Sequence, residues 1–272
     1  MFCCALIAHA QAPDATPTRP GQIPTVAPKI SIDMLAEIQK SGKLRVGVTE
    51  IVPWAMHDKD GKLVGLSIDV ARKLARDLGV DVEFHPVEFP YLISDLLADR
   101  YDIIVSGFSI VASRALQVNF SAPYYETDVT LAASIKTAGG FKTLQDFNKD
   151  SLTIGVLQGT TAEEMTAKLL PEARLKTYRD DGALFDDLTK GKLDAAVADS
   201  PRPELVAKFF PNSVTSPPGV KLSTFPTAFA VRRGDMDFVN CLNSWIASRT
   251  ANHWLEERLN YWFKSTDWTK NL

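Results

Sequence analysis

The chain has 272 residues, 45% apolar and 23% charged. That is long enough for two domains at ~100 to 200 residues each, and too rich in core-forming side chains for a disordered, collagenous or disulfide-scaffold protein. Thirty basic against 33 acidic residues leave a net charge of −3, so no bulk positive field is available to hold a nucleic acid or an anionic membrane surface.

Residues 1–10 are mostly apolar and end in Ala8-His9-Ala10, the small-x-small pattern of a signal-peptidase site. The positively charged start of such a signal is absent, so they are read as a truncated signal peptide that directs the mature chain to the periplasm. No stretch reaches the ~20 apolar residues of a membrane span, and stable insertion is not expected. Cys3 and Cys4 fall within the signal, leaving Cys241 alone. Its neighbours Val239, Leu242, Trp245 and Ile246 form one helix face, which predicts an inert core thiol. Residues 11–30 carry Pro13, Pro17, Pro20, Pro24 and Pro28, a disordered tail or linker composition.

From Ser31, read as a helix cap, Ile32, Leu35, Ala36 and Ile38 mark a short helix closed by Gly42. Short β-branched runs then alternate with helix-period stretches, the grammar of an α/β protein with parallel strands. Strands are predicted at 43–48, 81–84 and 102–105, and helices at 67–78 and 91–98. Asp58-Lys59-Asp60-Gly61 reads as a polar hairpin turn rather than a calcium loop, which requires an acid where Met56 stands. The pattern then repeats: Leu44-Arg45-Val46-Gly47-Val48 is echoed by Leu152-Thr153-Ile154-Gly155-Val156. Likewise Tyr101-Asp102 and its apolar run is echoed by Leu193-Asp194 and its own. Two similar lobes follow, the second with helices at 160–170, 182–190 and 201–210 around strands near Leu152, Leu175 and Asp194. Runs at 128–134 and 223–231 are the expected crossings between lobes, and residues 236–262 fold back on the first.

Open parallel sheets bind ligands beyond the carboxyl ends of their strands. The loop after Val105 offers Gly107, Ser109 and Arg114, a flexible backbone, a hydroxyl and a guanidinium fork suited to a carboxylate. A helix cap at Ser113 with a solvated Arg114 is the plain structural reading of the same residues. After Val156, Gly159-Thr160-Thr161 opens a helix whose free amides suit an anion, and Thr160 with Glu163 also fits a capping box. Asp199 ends a strand and is either a helix cap or the counter-charge for an ammonium group. His57, His85 and His253 lack metal-ligand spacing, no nucleophile-and-base motif is present, and neither a cofactor nor a metal is expected.

These stretches, with Pro53-Trp54, Asn119-Phe120-Ser121-Ala122-Pro123-Tyr124 and Val156-Leu157-Gln158-Gly159-Thr160-Thr161, resemble the periplasmic amino-acid-binding proteins of ABC uptake systems, solute-binding protein family 3, from about Lys43 to Phe263. The resemblance implies a type II, Venus-flytrap fold: two α/β lobes, each a mainly parallel sheet with flanking helices, joined by two crossing hinge strands. Residues 31–132 and 229–272 would form lobe 1 and residues 133–228 lobe 2. Arg114, helped by Ser109 and Thr161, would take the carboxylate of a free amino acid and Asp199 its ammonium, with Phe89 against the ligand. Ile51 stands where members commonly have an aromatic, Gly107 where several have Ser, and Glu50 and Glu88 offer charge to a polar or cationic ligand group. A monomer delivering its ligand to an ABC permease is expected. The resemblance also extends to cyclohexadienyl dehydratases, which act on prephenate or arogenate and place a catalytic Glu three residues after the strand-end Asp. Arg202 stands there, with Glu204 two further on. A detached amino-acid sensor is the third reading.

Overall fold

The computed structural model describes residues 33–272. The signal expected at 1–10, the Pro-rich tail at 11–30 and the cap expected at Ser31 lie outside the described residues. The first helix, α1 (Met34–Ser41), is capped instead by Asp33, whose carboxylate accepts from the Ala36 amide at 2.9 Å, and it ends at Gly42 in the left-handed region.

The first lobe starts with β1 (Lys43–Val48) and a short hairpin of β2 (Met56–His57) and β3 (Leu63–Val64). Asp58 Oδ1 accepts from the Asp60 and Lys62 amides at 2.9 Å, so the acidic turn organises itself. Helix α2 (Leu66–Leu78) buries Leu66, Ile68, Val70, Ala71, Leu74 and Ala75 and stops at left-handed Gly79. There follow β4 (Asp81–Pro86), α3 (Leu92–Leu97), β5 (Ile103–Ile104), α4 (Ala112–Ala115) and β6 (Asn119–Phe120).

The chain crosses at Tyr124 into β7 (Tyr125–Ser134) and α5 (Ile135–Ala138). It then alternates β8 (Thr153–Leu157), α6 (Thr161–Leu169), β9 (Arg174–Tyr178), α7 (Asp181–Thr189), β10 (Ala195–Asp199) and α8 (Arg202–Phe209). After β11 (Val214–Thr215) it returns through β12 (Lys221–Thr227) to β13 (Ala230–Val231), then α9 (Met236–Ala251) and α10 (Trp254–Leu259). At the crossing, β7 and β12 run antiparallel and the Thr127 and Thr227 hydroxyls lie 2.8 Å apart.

The first sheet has the order β4-β1-β5-β13-β6 and the second β11-β7-β10-β8-β9, with β12 also on β7. Both sheets are mainly parallel: β4, β1 and β5, and β9, β8 and β10, pair in parallel, and a single strand of each five-strand order, β13 or β7, runs against the rest. The opposed strands are those next to the crossings, β7 entering the second sheet and β13 re-entering the first, each arriving from the other lobe rather than through a helix of its own. The tail folds onto the first lobe, where the Trp245 and Trp262 indoles donate to Asp77 and Asp69 of α2, each at 2.8 Å. Cys241, expected in the core, is only half-buried, and burial still pushes its thiol up, away from reactivity.

The internal echo has a physical basis. β1 lies between β4 and β5 as β8 lies between β9 and β10. Asp102 accepts from the Arg45 amide at 2.9 Å, and Asp194 from the Thr153 amide at 2.7 Å. The residue before each Asp packs on the glycine of the central strand. A Cβ on Gly47 would enter the Tyr101 ring, and one on Gly155 would lie 2.5 Å from Leu184 Cδ1 and 2.6 Å from Leu193 Cδ1. We therefore expect Gly47→Ala and Gly155→Ala each to cost about 1–3 kcal/mol by overpacking. Thermal unfolding should show this as a loss of several degrees. Gly140→Ala, which meets nothing within 4 Å, should leave the melt unchanged.

Candidate functional site

The carboxyl ends of β1 and β5 in one lobe and of β8 and β10 in the other face a common cleft. Its cavity is lined by Ile51, Trp54, Phe89, Ser106 and Gly107 from the first lobe, and by Leu157, Thr160, Ala162, Asp181, Val197, Ala198 and Asp199 from the second. Only about 20 Å³ is open to the centre of a water molecule, room for little more than one water. The cleft is shut, and lobe meets lobe directly: Leu157 packs with Phe89 and Phe108. A larger open recess of about 810 Å³ lies along α8 and the loop from Pro211 to Lys221, walled by second-lobe elements alone.

Arg114 comes from α4, just past the β5 loop, and is 8% exposed. Its Nη1 donates to the Ser109 carbonyl at 2.9 Å and its Nη2 crosses the cleft to the Gly159 carbonyl at 3.1 Å. The guanidinium lies 4.2 Å from the Phe108 ring centroid and 5.3 Å from that of Phe89, a cation–π arrangement that offsets part of its desolvation. Burial nonetheless pushes its pKa down to about 10, against the opposing charges of Asp199 and Glu164. Asp199 ends β10, and burial pushes its carboxyl up to about 7, with Arg114 pulling the other way. Its Oδ1 is buried without a hydrogen-bond partner, so a donor brought to it would relieve a desolvated acceptor. The cap reading of Asp199 is not realised: α8 begins after Pro201 with no side-chain cap.

Of the nine residues singled out in the sequence, Gly107, Phe89, Ile51, Thr160 and Asp199 line the cavity. Thr160 also caps α6, its hydroxyl accepting from the Glu163 amide at 3.3 Å while Glu163 accepts from Gly159 at 2.6 Å. The reciprocal half of the expected capping box is not made, because Glu163 takes the amide before the cap, and the Thr160 cap coexists with a helix N-terminus facing the cleft. Gly107 has φ +59, and a Cβ there would meet the Trp54 indole at 2.9 Å. Arg114 sits behind Phe89, whose ring separates the cavity from a second recess of about 470 Å³ that Arg114 lines. Ser109 and Thr161 are buried at 2% and 3% without lining the cavity. Glu50 is exposed, lies 3.1 Å from His57 Nδ1, and lines a separate recess with Glu88, Arg179 and Asp180.

Trp54, Ser106, Leu157 and Asp181 were not anticipated as lining residues. Ser106 starts the very loop that carries Gly107, and its hydroxyl accepts from the Thr49 amide at 2.8 Å. Asp181 had a weak signal: two acids open α7, and Asp180 alone satisfies its cap, accepting from Ala183 at 2.6 Å.

A family model for bacterial extracellular solute-binding proteins, family 3, matches residues 44–265. The cyclohexadienyl dehydratase of Pseudomonas aeruginosa is 28% identical over 231 residues, 85% of this chain and 86% of that protein. The L-cystine-binding protein TcyJ of Escherichia coli is 27% identical over 232 residues, again 85% and 86%. The crystal structure of the ancestral amino acid-binding protein AncCDT-1, a precursor of cyclohexadienyl dehydratase, matches with a TM-score of 0.78 at 33% identity, covering 84% of this chain and 99% of its own. Most of the relatives are binding proteins, and the two-lobe type II periplasmic-binding fold is shared with them. With the match running through both lobes and the tail, the chain belongs to the bacterial extracellular solute-binding proteins of family 3.

Proposed function

We propose that the protein captures a free amino acid in the periplasm by closing its lobes and passes it to an ABC-type permease, as a monomer and without chemistry. The observation that carries the reading is the pair of opposite charges supplied by opposite lobes, Arg114 and Asp199, both desolvated and with Asp199 Oδ1 unpartnered. A zwitterion matches both. When the lobes part, Arg114 loses the Gly159 carbonyl, because Gly159 belongs to the other lobe. The freed end of the guanidinium fork then takes the carboxylate, with Ser109 and Thr161 supporting it from behind, and the ammonium takes Asp199. Both contacts exist only in the closed form, so the ligand favours closure by its differential affinity. In this reading the lobes keep the bounds 31–132 with 229–272, and 133–228, with β7 (Tyr125–Ser134) as the crossing strand that pairs into the second sheet.

A second reading, a dehydratase on the same scaffold, draws on a carboxyl with a pKa of about 7, which can donate a proton near neutral pH. Against it stands Arg202, three residues after Asp199, engaged with Asp181 at 2.8 Å. Thermal melts of refolded protein against the common amino acids, prephenate and arogenate separate the two. A ligand at a thousandfold its Kd adds about 4 kcal/mol, and one or a few amino acids should shift the melt. Release of phenylpyruvate or phenylalanine at enzymatic rates would overturn the binding reading.

Arg114→Gln and Asp199→Asn should each weaken the amino acid more than a hundredfold, as expected when one partner of a buried charge contact is removed at ~3 to 5 kcal/mol. Calorimetric titration measures the loss, and circular dichroism checks that the fold is kept.

The pH dependence follows from Asp199. Its folded pKa, about 7, lies above the ordinary carboxylate value, so the free protein gains stability from the retained proton. That gain is complete below the ordinary value and disappears as pH rises through 7. Ligand binding needs the ionised form and runs the other way: affinity should fall about tenfold per unit below pH 7. A proton should be released on binding at pH 6, seen as a buffer-dependent heat. Asp199→Asn should flatten both trends.

A further inference from the structure

The clamp accounts for Arg114 and Asp199 and leaves a second carboxylate of the same cavity, Asp181, and its partner Arg202 without a role. Asp181 is 4% exposed and lines the cavity. Its Oδ2 accepts from Arg202 Nε at 2.8 Å, and the backbone at Val52 of the first lobe favours its charged form. The Arg202 side chain is 12% exposed and lies over the Phe185 ring at 4.5 Å. Capping does not explain Asp181, since Asp180 already caps α7. The charges acting on Asp181 are Arg202 and Asp180, while those acting on Arg114 are Asp199 and Glu164. Asp181 therefore has a charge partner of its own, apart from that of Asp199, and Ile51, Trp54, Phe89 and Leu157 are among the apolar walls of the cavity that both carboxylates line.

An ionised carboxylate accepts at about four lone-pair sites, and the hydrogen bond from Arg202 uses one of them. On the outer side of the same two loops, the chain neighbours Glu50 and Asp180 line a recess of about 280 Å³ with Glu88 and Arg179, three acids against one base. Thr49 lines this recess too, 5% exposed, its Oγ1 without a hydrogen-bond partner. A cavity with apolar walls and a buried acid with spare acceptor capacity, backed by further negative charge, matches an aliphatic stem carrying a cation.

We propose that Asp181 receives the positively charged tip of the ligand side chain and is the specificity-determining carboxylate. This rests on the amino-acid reading above and narrows it to amino acids ending in an ammonium or guanidinium group. The stem lies along the apolar walls, the tip shares Asp181 with Arg202, and the acids beyond add to the field. Arg202 holds Asp181 in place and competes with the tip for it.

The test is calorimetric titration of the refolded protein with arginine against citrulline and lysine against norleucine, pairs that differ chiefly in charge. The charged member should bind at least tenfold tighter. Asp181→Asn should bring each pair within threefold, and Arg202→Gln, which removes the competitor, should widen the preference. Neutral members binding as tightly as charged ones overturns this inference and leaves the clamp standing. A preference that survives Asp181→Asn, with all four ligands weakened alike, makes Asp181 a lobe contact alone and overturns it as well. Should Asp181→Asn not fold, a preference that stands still or narrows in Arg202→Gln does the same. Binding of no amino acid at all overturns both the clamp and its side-chain subsite.

Discussion

A guanidinium taken almost wholly out of water, with one carbonyl from each lobe as a partner, is the constraint around which the rest of this structure is arranged. Burying Arg114 is costly unless charge and donors are met, and the fold meets them by stages. Phe108 and Phe89 offer ring faces, Ser109 a carbonyl from its own loop, Gly159 a carbonyl from the facing lobe, and Asp199 the opposite charge. Because two of these come from the second lobe, the energy of the buried charge depends on how the lobes stand. A cleft with room for about one water is the shut limit of that dependence.

The fold was largely legible because its signals are local. Glycine stops at Gly42 and Gly79, the apolar face of α2 and the β-branched runs of β1 and β8 all act within a few residues. The echo between the lobes was also visible, and its reason turns out to be steric and polar at once. A glycine in the central strand makes room for Tyr101 or Leu193, and the next residue, Asp102 or Asp194, ties down the strand's start. What the residues alone did not give is the antiparallel strand in each sheet next to the crossings, since strand direction depends on where the chain goes next rather than on composition. The cap at Asp33 and the half-exposure of Cys241 were missed for a related reason. Periodicity says which face is apolar, not which residue ends a helix or how a neighbouring element covers it.

The site was legible where strand-end loops carry unusual chemistry, as at Gly107, Thr160 and Asp199, and less so where the lining comes from packing. Trp54 and Leu157 reach the cavity because whole lobes meet there. Asp181 is hidden in a different way. A pair of acids at a helix start looks like a cap and its neighbour, and only the register of α7 shows that Asp180 does the capping while Asp181 turns inward to Arg202. Position by itself also misleads for Glu50, which is next to the lining residue Ile51 in sequence yet opens onto a different recess.

One short junction carries Asp199 and the partner of Asp181. Asp199 closes β10, and three residues later Arg202 opens α8 and reaches Asp181. On the proposed reading, the group that meets a ligand's ammonium and the partner of the side-chain carboxylate are therefore set by the same strand-to-helix turn, on a scaffold whose sheets need not change. A substitution at the Arg202 position leaves Asp181 buried without its partner, so that the cavity must find another donor there, protonate, or take up a cation. Relatives similar to this chain are named for different solutes, and one is a dehydratase. On the proposed reading the lobes and crossings supply the closing motion, while a few side chains on one turn decide what that motion closes upon.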